Sequence, residues 1–234
     1  MIRALIETSL VDWDGKISMV LFFDKCNFMC PFCQNWELIL HPERFSAIQW
    51  KKIASILQKK NDWIDGVVLT GGEPLVYKKE VFGLAKNLKK LNFGVKVDTN
   101  GAYPGTLKEL IDKKLVDYVA MDIKAPIDER YYIATGKKIN LENIKESIRM
   151  LMNNVVNYEF RTTCVPGIID ENAIDEIGKT IRRAKKWALQ VFVPDNAYKE
   201  EYRKKLGPEY VSSLQQFLSR AQEYASNVIL RGKI

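Results

Sequence analysis

Ile17-Ser18-Met19-Val20-Leu21-Phe22-Phe23 runs directly into Asp24-Lys25-Cys26-Asn27-Phe28-Met29-Cys30-Pro31-Phe32-Cys33, so an apolar run empties into a loop holding three of the chain's four cysteines. The run is strand-sized, bounded by polar residues and far too short to cross a bilayer. The same pattern recurs downstream: a short β-branched run, a polar or Gly-rich cluster, then an amphipathic stretch. It predicts strands at Ile17–Phe23, Gly66–Thr70, Gly94–Asp98, Tyr118–Asp122, Tyr158–Thr163 and Leu189–Val193. Helical periodicity fills Ala47–Lys60, Lys79–Leu91, Gly105–Lys114, Leu141–Asn153 and Glu171–Trp187, and a last helix near Pro208–Ser226 leads to a short strand at Val228–Leu230.

Strands alternating with crossover helices imply parallel pairing and right-handed βαβ units. About six such units fall short of the eight that close a TIM barrel, so the expected fold is α/β, an open, partial (β/α)6 TIM-like barrel. In such sheets ligands sit at the carboxyl ends of the strands. The polar clusters follow the strands at that end: Thr70-Gly71-Gly72-Glu73-Pro74, Asp98-Thr99-Asn100-Gly101, Asp122-Ile123-Lys124, Arg161-Thr162-Thr163 and Pro194-Asp195-Asn196. They are expected to face one cavity.

Composition narrows the class. With 234 residues, 47% hydrophobic and 28% charged, the chain reads as one globular domain over 1–234, with a short lead-in and a C-terminal helix. No linker, repeat or low-complexity tract interrupts it. The opening MIRALIETSLVDWDGK lacks the apolar core of a secretory signal, which points to a cytoplasmic protein. The net charge of +7 is spread as lysine pairs on helix faces, such as Lys51-Lys52 and Lys89-Lys90. With no basic stripe interleaved with aromatics, neither nucleic acid nor membrane is expected as a partner.

Cys26, Cys30 and Cys33 carry the chemistry. Three thiolates on one short loop can ligate three irons of a [4Fe–4S] cluster and leave the fourth open. A zinc site completed by His41, the chain's one histidine, is the alternative, although zinc ligands usually come as two close couples. Gly71-Gly72-Glu73-Pro74 is equally good punctuation for a plain strand-to-helix turn. Asp98 and Asp122 are in the right places to cap the helix or turn that follows each of them. Spacing alone leaves these alternatives open.

A resemblance bears on them. CxxxCxxC after the first strand, with Phe32 before the third cysteine and Gly71-Gly72-Glu73-Pro74 after the second strand, resembles the radical S-adenosylmethionine (SAM) superfamily. Asp14-Gly15-Lys16-Ile17, Gln34-Asn35, Val97 to Gly101, Val119 to Pro126, and Arg161 with Val165-Pro166-Gly167 are similar to glycyl-radical-enzyme activases, most of all those of anaerobic ribonucleoside-triphosphate reductase.

The resemblance implies a [4Fe–4S] cluster on the three cysteines and SAM as cofactor. SAM would be split reductively, and the 5′-deoxyadenosyl radical would take a hydrogen atom from a glycine of a partner reductase. It also implies contacts. Gly71 and Gly72 would receive the SAM amino group, with Glu73 ordering their loop. Phe32 and Gln34 would meet the adenine, and Lys124 and Arg161, beside Ile123, would meet the SAM carboxylate. Asp98 and Asp122, with Thr99 and the Ala120 carbonyl, would form a monovalent cation site. Asn196 stands where formate-lyase activases carry a histidine, and Gln34 where a histidine is common.

Cys164 alone cannot found a second cluster, so it reads as a small core residue, and electrons would come from flavodoxin or ferredoxin. Two rivals remain: a radical SAM enzyme of the 7-carboxy-7-deazaguanine synthase type acting on a small molecule, and a zinc-stabilised binding module.

Overall fold

The computed structural model describes residues 1–153 and 156–232. Its contacts divide the chain into two compact units, the first comprising residues 1–27, 35–99 and 103–119 and the second 28–34, 100–102 and 120–234.

The first unit holds β1 (Ile2–Ser9), β2 (Ser18–Phe23), β3 (Gly66–Gly71) and β4 (Gly94–Thr99), with α1 (Trp36–Leu40), α2 (Trp50–Lys59), α3 (Lys78–Lys90) and α4 (Pro104–Asp112). β2, β3 and β4 pair in parallel, in register Ser18↔Gly66↔Gly94, and β1 lies antiparallel on the outer edge of β2. β1 is an addition to the expected strands. Arg3 and Glu7 break its apolar character, and its residues are half-buried or exposed almost throughout, so the alternation is faint. Trp13 lies against the start of the sheet. A Cβ on Gly66 would stand 2.6 Å from its ring, and Tyr118 meets it at 6.0 Å between centroids. This ring covers the amino-terminal ends of β3 and β4.

β5 (Tyr118–Asp122) starts in the first unit, where the Asp117 N–H donates to the Val95 carbonyl at 2.8 Å. It ends in the second, where the Ile123 N–H donates to the Arg161 carbonyl at 2.8 Å. The second unit adds β6 (Asn157–Thr163), β7 (Trp187–Gln190) and β8 (Val228–Arg231), all parallel, with α5 (Glu129–Thr135), α6 (Leu141–Met152), α7 (Glu171–Thr180) and α8 (Pro208–Ala221). Side-chain caps start three of these helices: Asp128 on α5, Asn140 on α6 and Asp170 on α7, the last accepting from the Ala173 N–H at 2.7 Å.

Several boundaries differ from expectation: α2 begins at Trp50 instead of Ala47, α8 ends at Ala221 instead of Ser226, and the largest shift is in α7. The helix expected over Glu171–Trp187 stops at Thr180, because Arg183 takes a positive φ of 71° and Ala184 already bridges Ala225. Trp187 therefore opens β7 instead of closing α7, and the strand expected at Leu189–Val193 ends at Gln190. Its indole is fully buried and donates to the Thr162 hydroxyl at 3.0 Å. The short helices α1 and α5 were also not expected, being too brief to show periodicity.

Because the indole fills the core and satisfies Thr162, Trp187→Ala is expected to cost about 3–5 kcal/mol of stability. Urea unfolding followed by far-UV circular dichroism measures this, and a loss under 1 kcal/mol would show that the site is not packed as described.

Candidate cofactor site

The Gly-Gly-Glu-Pro turn in the first unit is fastened to the start of the cysteine loop. The Gly72 N–H donates to the Phe23 carbonyl at 2.8 Å and the Glu73 N–H to the Lys25 carbonyl at 2.6 Å. Neither glycine has room for a side chain. A Cβ on Gly72 would lie 2.0 Å from the Lys25 carbonyl oxygen and 3.2 Å from the Cys26 nitrogen, and one on Gly71 would lie 2.3 Å from the Phe23 nitrogen. Gly71 also has a φ of 111°, which few residues besides glycine adopt. Close approach of two backbones, more than turn geometry, fixes glycine here.

Glu73 is completely buried. Its Oε1 accepts from the Leu75 N–H at 3.0 Å and from the Thr99 hydroxyl at 2.9 Å, so the carboxylate ties the turn to the end of β4. Asn35, just after the cysteines, donates through Nδ2 to the Gly71 carbonyl at 3.0 Å. A carbonyl has two lone pairs, so Gly71 keeps acceptor capacity for an ammonium group. Asp98 pairs with Lys96 at 3.5 Å.

Cys26 belongs to the first unit, and Cys30 and Cys33 to the second. No disulfide joins any of the four cysteines. In the second unit the loop is pinned at several points. The Met29 N–H donates to the Thr135 carbonyl at 2.8 Å, Gly136 presses so closely on Met29 that a Cβ would lie 2.2 Å from its oxygen, and the Lys199 N–H donates to the Pro31 carbonyl at 2.8 Å.

Among the described residues no three His, Cys, Asp or Glu side chains gather around one point as a single metal ion requires. A [4Fe–4S] cluster has no such requirement, since each thiolate ligates a different iron. His41, the fourth ligand of the zinc alternative, meets the Trp36 ring edge-on at 6.3 Å and Glu43 at 3.5 Å.

In the second unit Asp122, at the end of β5, is held between two cations. Arg161 Nε donates to one carboxylate oxygen at 2.7 Å and Lys124 Nζ to the other at 2.8 Å. Burial would push the Asp122 carboxyl up, but Arg161 and then Lys124 outweigh it and hold the pKa at about 2, below the ordinary 3.8. Burial likewise works against the charge on Lys124, and Asp122 followed by Cys30 overrides it, so its pKa is raised. Two cations around one carboxylate leave a net positive charge beside Cys30, which suits an anionic group of a ligand.

Other expected ligand contacts occupy protein partners. Gln34 donates through Nε2 to the Val193 carbonyl at 2.7 Å, and Asn196 through Nδ2 to the Gln34 carbonyl at 3.0 Å. The two residues standing in histidine positions thus clasp each other's segments. Phe32 packs at a tilt on Tyr202, 6.3 Å between centroids, and Ile123 is buried just past the end of β5. Cys164 is 1% exposed and burial pushes its thiol up to about 12, so it is an inert core residue, as expected. Asn35 was part of a motif in the sequence, but its bond to the Gly71 carbonyl was not expected, and Tyr202 escaped the sequence reading, because a tyrosine distant in the chain carries no motif.

Comparison with known proteins gives the family. The model of the Radical SAM superfamily matches residues 20–186. A protein of Methanocaldococcus jannaschii named as a candidate glycyl-radical enzyme activating enzyme is 34% identical over 239 residues, covering 99% of this chain and 95% of its own. The pyruvate formate-lyase-activating enzyme of Clostridium pasteurianum is 28% identical over 195 residues, 80% of either chain. Among solved structures, a domain of the pyruvate-formate lyase-activating enzyme from Bacteroides vulgatus matches with a TM-score of 0.54 at 20% identity, over 71% of this chain and 99% of that one. That likeness shows the fold, an α/β sheet of mostly parallel strands as in a partial TIM barrel.

Two outcomes test the site. Gly72→Ala forces the Lys25–Cys26 backbone to move and is expected to weaken SAM binding at least ~10-fold, about 1.4 kcal/mol, by anaerobic calorimetry. Unchanged affinity would contradict the close approach. Asp122→Asn leaves two partly buried cations uncompensated and is expected to cost about 2 kcal/mol at neutral pH. Because the folded pKa is depressed, that stability is fully present above the ordinary value of 3.8 and is lost as pH falls through about 2. Unfolding of both proteins between pH 7 and pH 2 should show the deficit shrinking only at the acid end.

Proposed function

The chain belongs to the radical SAM superfamily and, within it, to the glycyl-radical enzyme activating enzymes, and from that premise we propose that it activates an anaerobic ribonucleoside-triphosphate reductase. The observation that carries the reading is the backbone junction of Gly72 and Glu73 with Lys25 and Cys26, which begins the SAM loop against the first cluster ligand.

A [4Fe–4S] cluster and SAM, when bound, supply one-electron cleavage of the sulfonium and the 5′-deoxyadenosyl radical that removes hydrogen from a glycine. The protein's part is binding and orientation. Cys26, Cys30 and Cys33 would hold three irons. Gly71 and Gly72 would offer carbonyl oxygens to the SAM ammonium group, in a turn kept rigid by Glu73 and Thr99. Arg161 and Lys124, with their excess positive charge, would hold the SAM carboxylate. No side chain is needed as general acid or base, which makes the enzyme an oxidoreductase by its cofactors alone. With Cys164 sealed in the core, electrons would come from a flavodoxin or ferredoxin. Among the described residues no helix is long and apolar enough to cross a membrane, and reduced thiols suit a cytoplasmic location.

The test is anaerobic. The protein is reconstituted with iron and sulfide, reduced, and mixed with SAM and the reductase. The expected outcome is 5′-deoxyadenosine together with a glycyl radical signal in electron paramagnetic resonance, both abolished by Cys30→Ala. Abundant 5′-deoxyadenosine with no glycyl signal on the reductase would instead favour a small-molecule substrate of the 7-carboxy-7-deazaguanine synthase type. Colourless protein carrying stoichiometric zinc would overturn the reading.

A further inference from the structure

Lys96 is a buried charge that the chemistry above leaves unused. It lies on β4 two residues before Asp98, on the same face of the strand, and its side chain is 2% exposed. Its Nζ sits 3.5 Å from Asp98 Oδ1, hydrogen-bonds the Asp12 carbonyl oxygen, and lies 5.5 Å from the centre of the Tyr118 ring. A carboxylate, a carbonyl and a ring face are favourable neighbours for an ammonium group. Asp98, 9% exposed, shares that enclosure. The next residue, Thr99, bonds to Glu73 and so to the Gly-Gly-Glu-Pro turn.

The resemblance implied an inorganic monovalent cation on Asp98 and Asp122. Such an ion brings positive charge to carboxylates beside SAM. Here both carboxylates already have covalently attached cations: Lys96 on Asp98, and Arg161 with Lys124 on Asp122. An alkali ion on Asp98 would lie close to the Lys96 ammonium, and two like charges that near each other repel strongly in a site shielded from water. The donor set does not fit the ion.

We infer that Lys96 is a built-in cation that takes the alkali ion's place at Asp98 and acts as a positioning residue for that carboxylate. Its consequence for turnover rests on the SAM-dependent function proposed above, whereas its consequence for ion binding does not.

The reconstituted full-length protein and Lys96→Met, which keeps an apolar stem without the charge, are compared in potassium, sodium and tetramethylammonium chloride at equal ionic strength. Thermal unfolding and 5′-deoxyadenosine formation are both read. Wild type should give the same Tm and the same rate in all three salts. Lys96→Met should acquire a preference, with Tm raised by about 2–4 °C in potassium or sodium over tetramethylammonium, and cleavage should be slow in tetramethylammonium and partly restored by the smaller ions. A wild-type Tm or rate that rises with potassium or sodium overturns the inference, as does a folded Lys96→Met that responds to none of the salts. Should the variant not fold, the wild-type salt comparison decides alone. Absence of SAM cleavage in every salt counts against the proposed function and leaves the unfolding comparison to decide the ion question.

Discussion

The junction of two loops governs the first unit's polar strand ends. Gly72 and Glu73 donate backbone hydrogen bonds to Phe23 and Lys25, and the space where a Cβ would stand on Gly72 is filled by the Lys25 carbonyl. The turn after β3 and the residues leading into Cys26 therefore cannot move independently. Glu73 extends the constraint to the end of β4 through Thr99, and Asn35 brings back the chain that follows the cysteines. Rigidity of this kind matters for a cofactor enzyme, because orientation is what the protein contributes.

Charge is managed locally. Asp24, at the end of β2, is held at a pKa of about 2 against the opposing effect of burial by the N-terminus, Tyr77 and Arg3. Asp122 is gripped by Arg161 and Lys124, and Asp98 by Lys96. Buried carboxylates at strand ends would otherwise be unfavourable, and each one is compensated by protein cations close to it. The remaining positive charge stands beside Cys30, where an anionic ligand can use it.

Much of this was legible in the sequence, for a physical reason. Parallel strands buried on both faces read as continuous apolar runs, so β2, β3, β4 and β5 stood out, and the polar clusters that end them marked the ligand face. β1 did not, because an edge strand with Arg3 and Glu7 has no clean alternation. The end of α7 was hidden by an apolar continuation through Ile181 and Ala184 to Trp187, and only the left-handed turn at Arg183 breaks it. In the site, residue types with fixed spacing were readable: the cysteines, the glycines and the acidic strand ends. Pairings were not. Nothing in the sequence says that Lys96 meets Asp98, that Asn196 reaches Gln34, or that Arg161 and Lys124 share Asp122, because such contacts depend on register and rotamer.

The central claim is that this loop system holds a [4Fe–4S] cluster through three cysteines and leaves one iron for SAM. Mössbauer spectroscopy of the ⁵⁷Fe-reconstituted protein, without and with SAM, tests it most directly. One iron in four should become distinct from the other three when SAM is added. Four irons unaffected by SAM, or protein that takes up zinc and no cluster, would contradict the account.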